Sequence, residues 1–94
     1  MKDTEELIKD LELKDSSIRR HAIEMLGIMG DEKAVDALIL VLKDKNRFVR
    51  QEAIAALGKV GGERIVGPLT QALGEEKDEF VQESMRKVLE KLRK

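Results

Sequence analysis

The sequence predicts an all-α fold, a short right-handed α-α superhelix of about six helices stacked as antiparallel pairs. Three observations carry this expectation. Apolar residues make up 41% of the 94 residues and charged residues 39%, but aromatics only 2%, so the core must be built from Leu, Ile, Val, Ala and Met, which favour helix over sheet. Apolar residues recur three and four positions apart, the period of one helix face rather than the alternation of a strand. The chain also repeats with an offset of 31 residues: Gly27 and Gly58 each follow a leucine and precede a second glycine three positions on.

The offset runs without a gap. Ile18 maps to Val49 and Phe80, Ala22 to Ala53 and Ser84, Ile23 to Ile54 and Met85, Leu26 to Leu57 and Val88, and Leu7 to Leu38 and Leu69. One domain, residues 1–94, divides accordingly into four segments. Residues 4–13, with Leu7, Ile8 and Leu11, form a lone helix of the second type. Residues 16–43 form a full pair. Its first helix carries Ile18, Ala22, Ile23 and Leu26, is capped by Asp15 or a neighbouring serine, and stops at a left-handed Gly30. Its second helix starts near Asp31 and places Val35, Leu38, Ile39 and Leu42 on one face; the connection is short enough to force an antiparallel pair. Residues 47–74 repeat the pair, with Asn46 as cap and Gly61 as stop. Residues 78–92 form a closing helix whose stripe of Phe80, Val81, Met85, Val88, Leu89 and Leu92 is wider than one neighbour requires, with Lys87, Glu90, Lys91, Arg93 and Lys94 to solvate it. Gly27 and Gly58 lie inside helices, where glycine costs about 1 kcal/mol relative to alanine. Close approach of the paired helix explains them; neither belongs to the strand–loop–helix pattern of a phosphate loop.

The strings IRRHAIEMLGIMGDEKAVDALILVL and VRQEAIAALGKVGGERIVGPLTQAL resemble HEAT-like repeats of the kind named after phycobilin lyases. The resemblance rests on Arg19, Ala22, Leu26, Gly27 and Gly30, and on Arg50, Ala53, Leu57, Gly58 and Gly61. The last unit departs from it, with Val81, Leu89 and Leu92 where the arginine and the two glycines belong. The resemblance implies that Arg19 and Arg50 form a ladder with acidic residues of adjacent loops, such as Asp15 or Asp44, and that second-type helices line a concave side where partners bind. These are packing residues, so they speak for fold rather than chemistry. Deoxyhypusine hydroxylase resembles the same repeat but carries His-Glu pairs as iron ligands; here Gln51-Glu52, Gln82-Glu83 and Arg20-His21 occupy those places, and the imidazoles the ligand set needs are missing. Nearly pure repeat also leaves little sequence for a chromophore pocket.

Eighteen Lys and Arg against nineteen Asp and Glu give a formal charge of −1, which offers none of the field a nucleic-acid binder uses. Without cysteine there is no disulfide, thiolate metal site or cysteine nucleophile. No signal-peptide run follows Met1, Lys2 and Asp3, and no apolar stretch is long enough for a membrane span, so a cytoplasmic protein is expected. His21, the lone histidine, lies away from the apolar stripe, and Ser16 and Ser17 serve as capping residues with no base near them. The expectation is therefore no enzyme, no cofactor and no metal.

Helical geometry turns Lys33, Asp36, Leu40 and Lys43 away from the core stripe of the second helix. Across repeats these positions form the rows Lys2, Lys33, Arg64; Glu5, Asp36, Gly67; and Lys9, Leu40, Gln71. Leu40, an outward leucine between Lys9 and Gln71, marks a candidate anchor, and the expected partner-binding residues are Lys33, Asp36, Leu40, Val41, Arg64 and Gln71. The half-units at the two ends suggest head-to-tail self-association through Phe80, Met85, Leu89 and Leu92, against a background expectation of a monomer or weak homodimer. The overall reading is a non-enzymatic protein-interaction or scaffold module. Its rivals are an accessory subunit of a lyase-type enzyme, and an excised or engineered repeat fragment whose function lies outside these residues.

Overall fold

Each first-type helix begins where a short polar side chain can satisfy its orphan N–H groups. The Asp15 carboxylate accepts from the Ser17 N–H at 2.8 Å, the Asn46 side chain from Phe48 and Val49 at 2.8 and 3.3 Å, and Asp78 from Phe80 and Val81 at 2.9 and 3.1 Å. These caps open α2 (Ser16–Met29), α4 (Arg47–Val60) and α6 (Glu79–Leu92). The computed structural model describes residues 1–93, so Lys94 lies outside the described residues. The second-type helices are α1 (Thr4–Asp10), opened by a reciprocal capping box between Asp3 and Glu6, α3 (Val35–Val41) and α5 (Val66–Glu75). Helices α3 and α5 do not start directly after the glycine stops: 3-10 turns, Glu32–Ala34 and Gly62–Ile65, lead into them. Asp31 caps the first of these turns, accepting from the Lys33 N–H at 3.0 Å and from the Thr4 hydroxyl at 2.9 Å. The described residues are all-helical, with six α-helices and no strand.

The helices form two layers, α2, α4 and α6 in one and α1, α3 and α5 in the other, within 34 × 25 × 15 Å. Ile23, Leu26, Leu38, Ile54, Leu57 and Leu69 are fully buried between them. The closest contacts between layers join α1 to α2, α3 to α4 and α5 to α6. Each second-type helix thus packs chiefly on the first-type helix that follows it, and α1 and α6 each have a partner.

Two glycine assignments change. Gly30 adopts the left-handed conformation (φ +66°), but Gly61 does not (φ −78°); the left-handed residue of the second repeat is Gly62 (φ +59°). Gly61 is needed for a different reason, since a Cβ there would run into the Ile65 side chain and lie 2.9 Å from the Leu57 carbonyl. The approach at Gly27 and Gly58 comes from the next first-type helix rather than from the paired one. A Cβ on Gly27 would stand 3.1 Å from the Ala56 Cβ, and one on Gly58 3.4 Å from a Val88 methyl.

The 31-residue register also slips by one before α6. The cap Asn46 is answered by Asp78, 32 residues on, so Val49 corresponds to Val81, Ala53 to Met85 and Leu57 to Leu89, all buried. The arginine and glycine positions of the last unit are therefore Gln82, Glu90 and Arg93, not Val81, Leu89 and Leu92. The slip explains the stripe on α6 that looked too wide: Met85 and Leu89 belong to the core, and Phe80 does not.

Candidate interaction face

The recurring arginines are anchored before any ligand is considered. Arg19 pairs with Asp44 through Nε (2.9 Å) and Nη2 (3.2 Å), and its Nη1 donates to the carbonyls of Leu13 (2.8 Å) and Lys14 (2.7 Å). Arg50 pairs with Glu76 at 2.9 and 3.0 Å and donates Nη1 to the Asp44 carbonyl at 2.8 Å. Both pairs are largely buried, bidentate and completed by backbone acceptors, the arrangement in which a guanidinium is best satisfied. Asp15 caps α2 and is not a rung. In the last unit Gln82 donates to the Glu76 carbonyl at 2.6 Å, the backbone half of the same contact.

With the arginines committed to the loops, the outward face of α1, α3 and α5 remains. Lys33, Asp36, Arg64 and Gln71 are all exposed there, and the Arg64 guanidinium Nη2 lies 3.9 Å from Asp36. Leu40 is 74% exposed, while Val41 is only 8% exposed and belongs to the core. Leu40 stands as a ridge between two depressions. One, of about 440 Å³, runs between α1 and α3 and is floored by Ile8, Leu11, Ala37 and Val41, so Val41 contributes to the wall of the site rather than to its surface. The other, of about 140 Å³, lies between α3 and α5 beside Leu42, Pro68 and Ala72. Lys43 and Asp44 border the first depression, and Lys43, Gln71 and Glu75 the second. An apolar ridge flanked by apolar hollows with a mixed charged rim is suited to holding an apolar side chain on either side of Leu40.

The proposed self-association set fares differently. Phe80 is 71% exposed, Leu92 is half-buried, and Met85 and Leu89 are packed inside, so these four residues do not form one surface. Phe80 belongs instead to a row that the 31-residue register concealed. The Arg20 guanidinium lies 5.6 Å from the centre of the Phe48 ring, and Arg47 lies 5.5 Å from Phe48 and 5.4 Å from Phe80, so cations and rings alternate along the N-terminal ends of α2, α4 and α6. Arg47 Nε is 2.9 Å from Asp78 off the N–H axis, an ion pair, while its Nη2 makes the hydrogen bond at 3.2 Å. The sequence does carry the signal: Asp44-Lys45-Asn46-Arg47-Phe48-Val49 aligns with Glu76-Lys77-Asp78-Glu79-Phe80-Val81 at an offset of 32.

Asp31 is held below the ordinary aspartate range, first by the Lys33 backbone N–H and then by the Thr4 hydroxyl, both of which favour the charged carboxylate. His21 is exposed, as are Ser17 and Glu24 beside it. No group of three or more His, Cys, Asp or Glu among the described residues is placed to hold a metal ion, and no helix among them is long and apolar enough to cross a membrane.

A family model described as HEAT repeats matches residues 4–90. No curated protein matches the chain.

Proposed function

The chain belongs to the HEAT-repeat family, and from that premise we propose that it is a protein-interaction module that takes its partner on the concave face of α1, α3 and α5. HEAT repeats are generally interaction and scaffold modules, and the single observation that supports this face over others is Leu40, a 74%-exposed leucine between two apolar hollows. The partner presents two apolar side chains, one on each side of Leu40, with polar groups toward Lys33, Asp36, Arg64 and Gln71. An amphipathic helix supplies apolar residues at such spacing.

The test is to select helical peptides from a displayed library against the wild-type chain and to map the winners by amide chemical shifts. The reading requires shifts centred on Lys33, Asp36, Leu40, Arg64 and Gln71. It also requires Leu40→Glu to weaken binding by about 2 kcal/mol, roughly 30-fold, as expected for a central anchor. Leu40 is exposed, so this variant keeps its fold, which circular dichroism checks. Undiminished binding to Leu40→Glu, or shifts confined to another face, would rule the proposal out.

A further inference from the structure

The two ends of the helix stack are finished differently. Helix α4 turns Val49, Ala56 and Val60 toward α2, and Val49 and Ala56 are buried there. The same register positions on α2 are Ile18, Met25 and Met29, with Ile28 beside them. No described residue stacks on that side, and Ile18, Ile28 and Met29 are 40%, 64% and 43% exposed. At the opposite end the positions through which α4 meets α6 (Arg47, Gln51, Ile54, Gly58) become Glu79, Glu83, Arg86 and Glu90, all exposed. One end is apolar and the other is charged.

The apolar end is not shaped for another unit of the same kind. An arginine like Arg19 or Arg50 arriving from upstream would look for an acid at position 13, where Asp44 and Glu76 stand in the later loops, and it would find Leu13, itself exposed. A glycine like Gly27 approaches a small residue, with Ala56 3.1 Å from its missing Cβ, but it would meet Met25. Nor does the charged end fit: burying Glu79, Glu83, Arg86 and Glu90 against aliphatic side chains strips them of water without partners. The surface that matches an uncharged aliphatic face is that face itself.

We propose that two copies of the chain associate through α2 about a two-fold axis. The helices run antiparallel, with Ile18 of one copy opposite Ile28 and Met29 of the other and Met25 close to the axis. At the rim, His21 of one copy lies beside Glu24 of the other, a polar border repeated twice by symmetry. The 14-residue α2 is about 21 Å long, and one helix-on-helix contact falls short of the roughly 1,200 Å² of a standard stable interface. The association is therefore weak, with a dissociation constant of about 100 μM to 1 mM.

Sedimentation equilibrium on the full chain, from about 10 μM to 1 mM, reads this directly. The mass rises from 10.6 kDa toward twice that value. Ile28→Glu and Met29→Glu, both at exposed positions and checked for helicity, raise the dissociation constant at least tenfold; Leu40→Glu and Phe80→Glu leave it unchanged. Because the chain has no cysteine, Met25→Cys provides a second readout: mild oxidation links it into a symmetric dimer, whereas Phe80→Cys stays monomeric. The proposal is overturned by a mass of 10.6 kDa throughout, or by a dimer that Phe80→Glu dissolves and Met29→Glu does not.

Discussion

Replacing Gly58 by alanine should stabilise the fold, and the same replacement at Gly27 should destabilise it, although the two residues occupy the same place in the repeat. Alanine gains about 1 kcal/mol over glycine in a helix interior at either site. What differs is the neighbour. At Gly58 the new methyl lies 3.4 and 3.5 Å from the two methyls of Val88, a half-exposed side chain, which is ordinary contact, so most of the gain survives as about 0.5–1 kcal/mol. At Gly27 it lies 3.1 and 3.2 Å from the Cβ and Cα of Ala56, and α2 and α4 can relieve this only by moving backbone apart. Overpacking of that kind costs about 1–3 kcal/mol, leaving a net loss of up to about 2 kcal/mol. Urea unfolding followed by circular dichroism measures both. For a chain this size each kcal/mol moves the thermal midpoint by about 4–8 °C, so the two variants should melt on opposite sides of wild type. Equal stabilisation by both would refute the argument that helix separation is set by Gly27 against Ala56.

The buried Arg50–Glu76 pair should be more sensitive than the half-buried Arg47–Asp78 pair: Arg50→Met leaves Glu76 buried without its cation and costs about 2–4 kcal/mol, whereas Arg47→Met leaves Asp78 with access to water and costs about 1 kcal/mol, both read by urea unfolding. Asp31 contributes stability that is complete above the ordinary aspartate range and is lost as pH falls through its lowered folded value, because the unfolded chain takes up its proton first. Thr4→Val removes one of the two donors and should move the Asp31 carboxyl titration, followed by NMR, back toward the ordinary range. Gly61→Ala should destabilise more than Gly27→Ala in the same unfolding assay, because the obstruction is the Ile65 side chain and the Leu57 carbonyl within one turn, which no helix movement relieves.

The helices themselves and most of the core could be read from the sequence because they depend on local rules: the 3.6-residue period, Asp15 and Asn46 as caps, and glycine where a helix stops. The 31-residue offset misplaces α6 because it rests on the two glycines, which α6 lacks, and passes over one extra residue at the C-terminal end of α5, between Leu73 and Glu76. The loop residues themselves, Asp44-Lys45-Asn46 and Glu76-Lys77-Asp78, hold the correct alignment. The exposure of Leu40 was legible because it follows from helical geometry alone. Val41, one residue further, is buried by the surrounding helices, which no single-helix projection contains. The open end of α2 was hidden for a related reason: Ile18 lies on the apolar stripe whether or not a neighbour covers it. Gly27 announced a close approach in the sequence, but only the structure identifies Ala56 of the next unit as the neighbour.

Asp44 faces two ways: its carboxylate holds Arg19 behind it, and its carbonyl receives Arg50 ahead of it. A residue that bonds both neighbours couples their opening, so α2 and α4 cannot come loose one at a time without breaking a shared joint. The corresponding joint one unit earlier, at the carbonyls of Leu13 and Lys14, receives Arg19 alone, so releasing it disturbs no second arginine. In a linear array governed by nearest-neighbour coupling, the weakest joint sets where unravelling begins. Amide exchange should accordingly spread as a front from α1 inward, and a protease working at the edge of stability would trim the stack from that side.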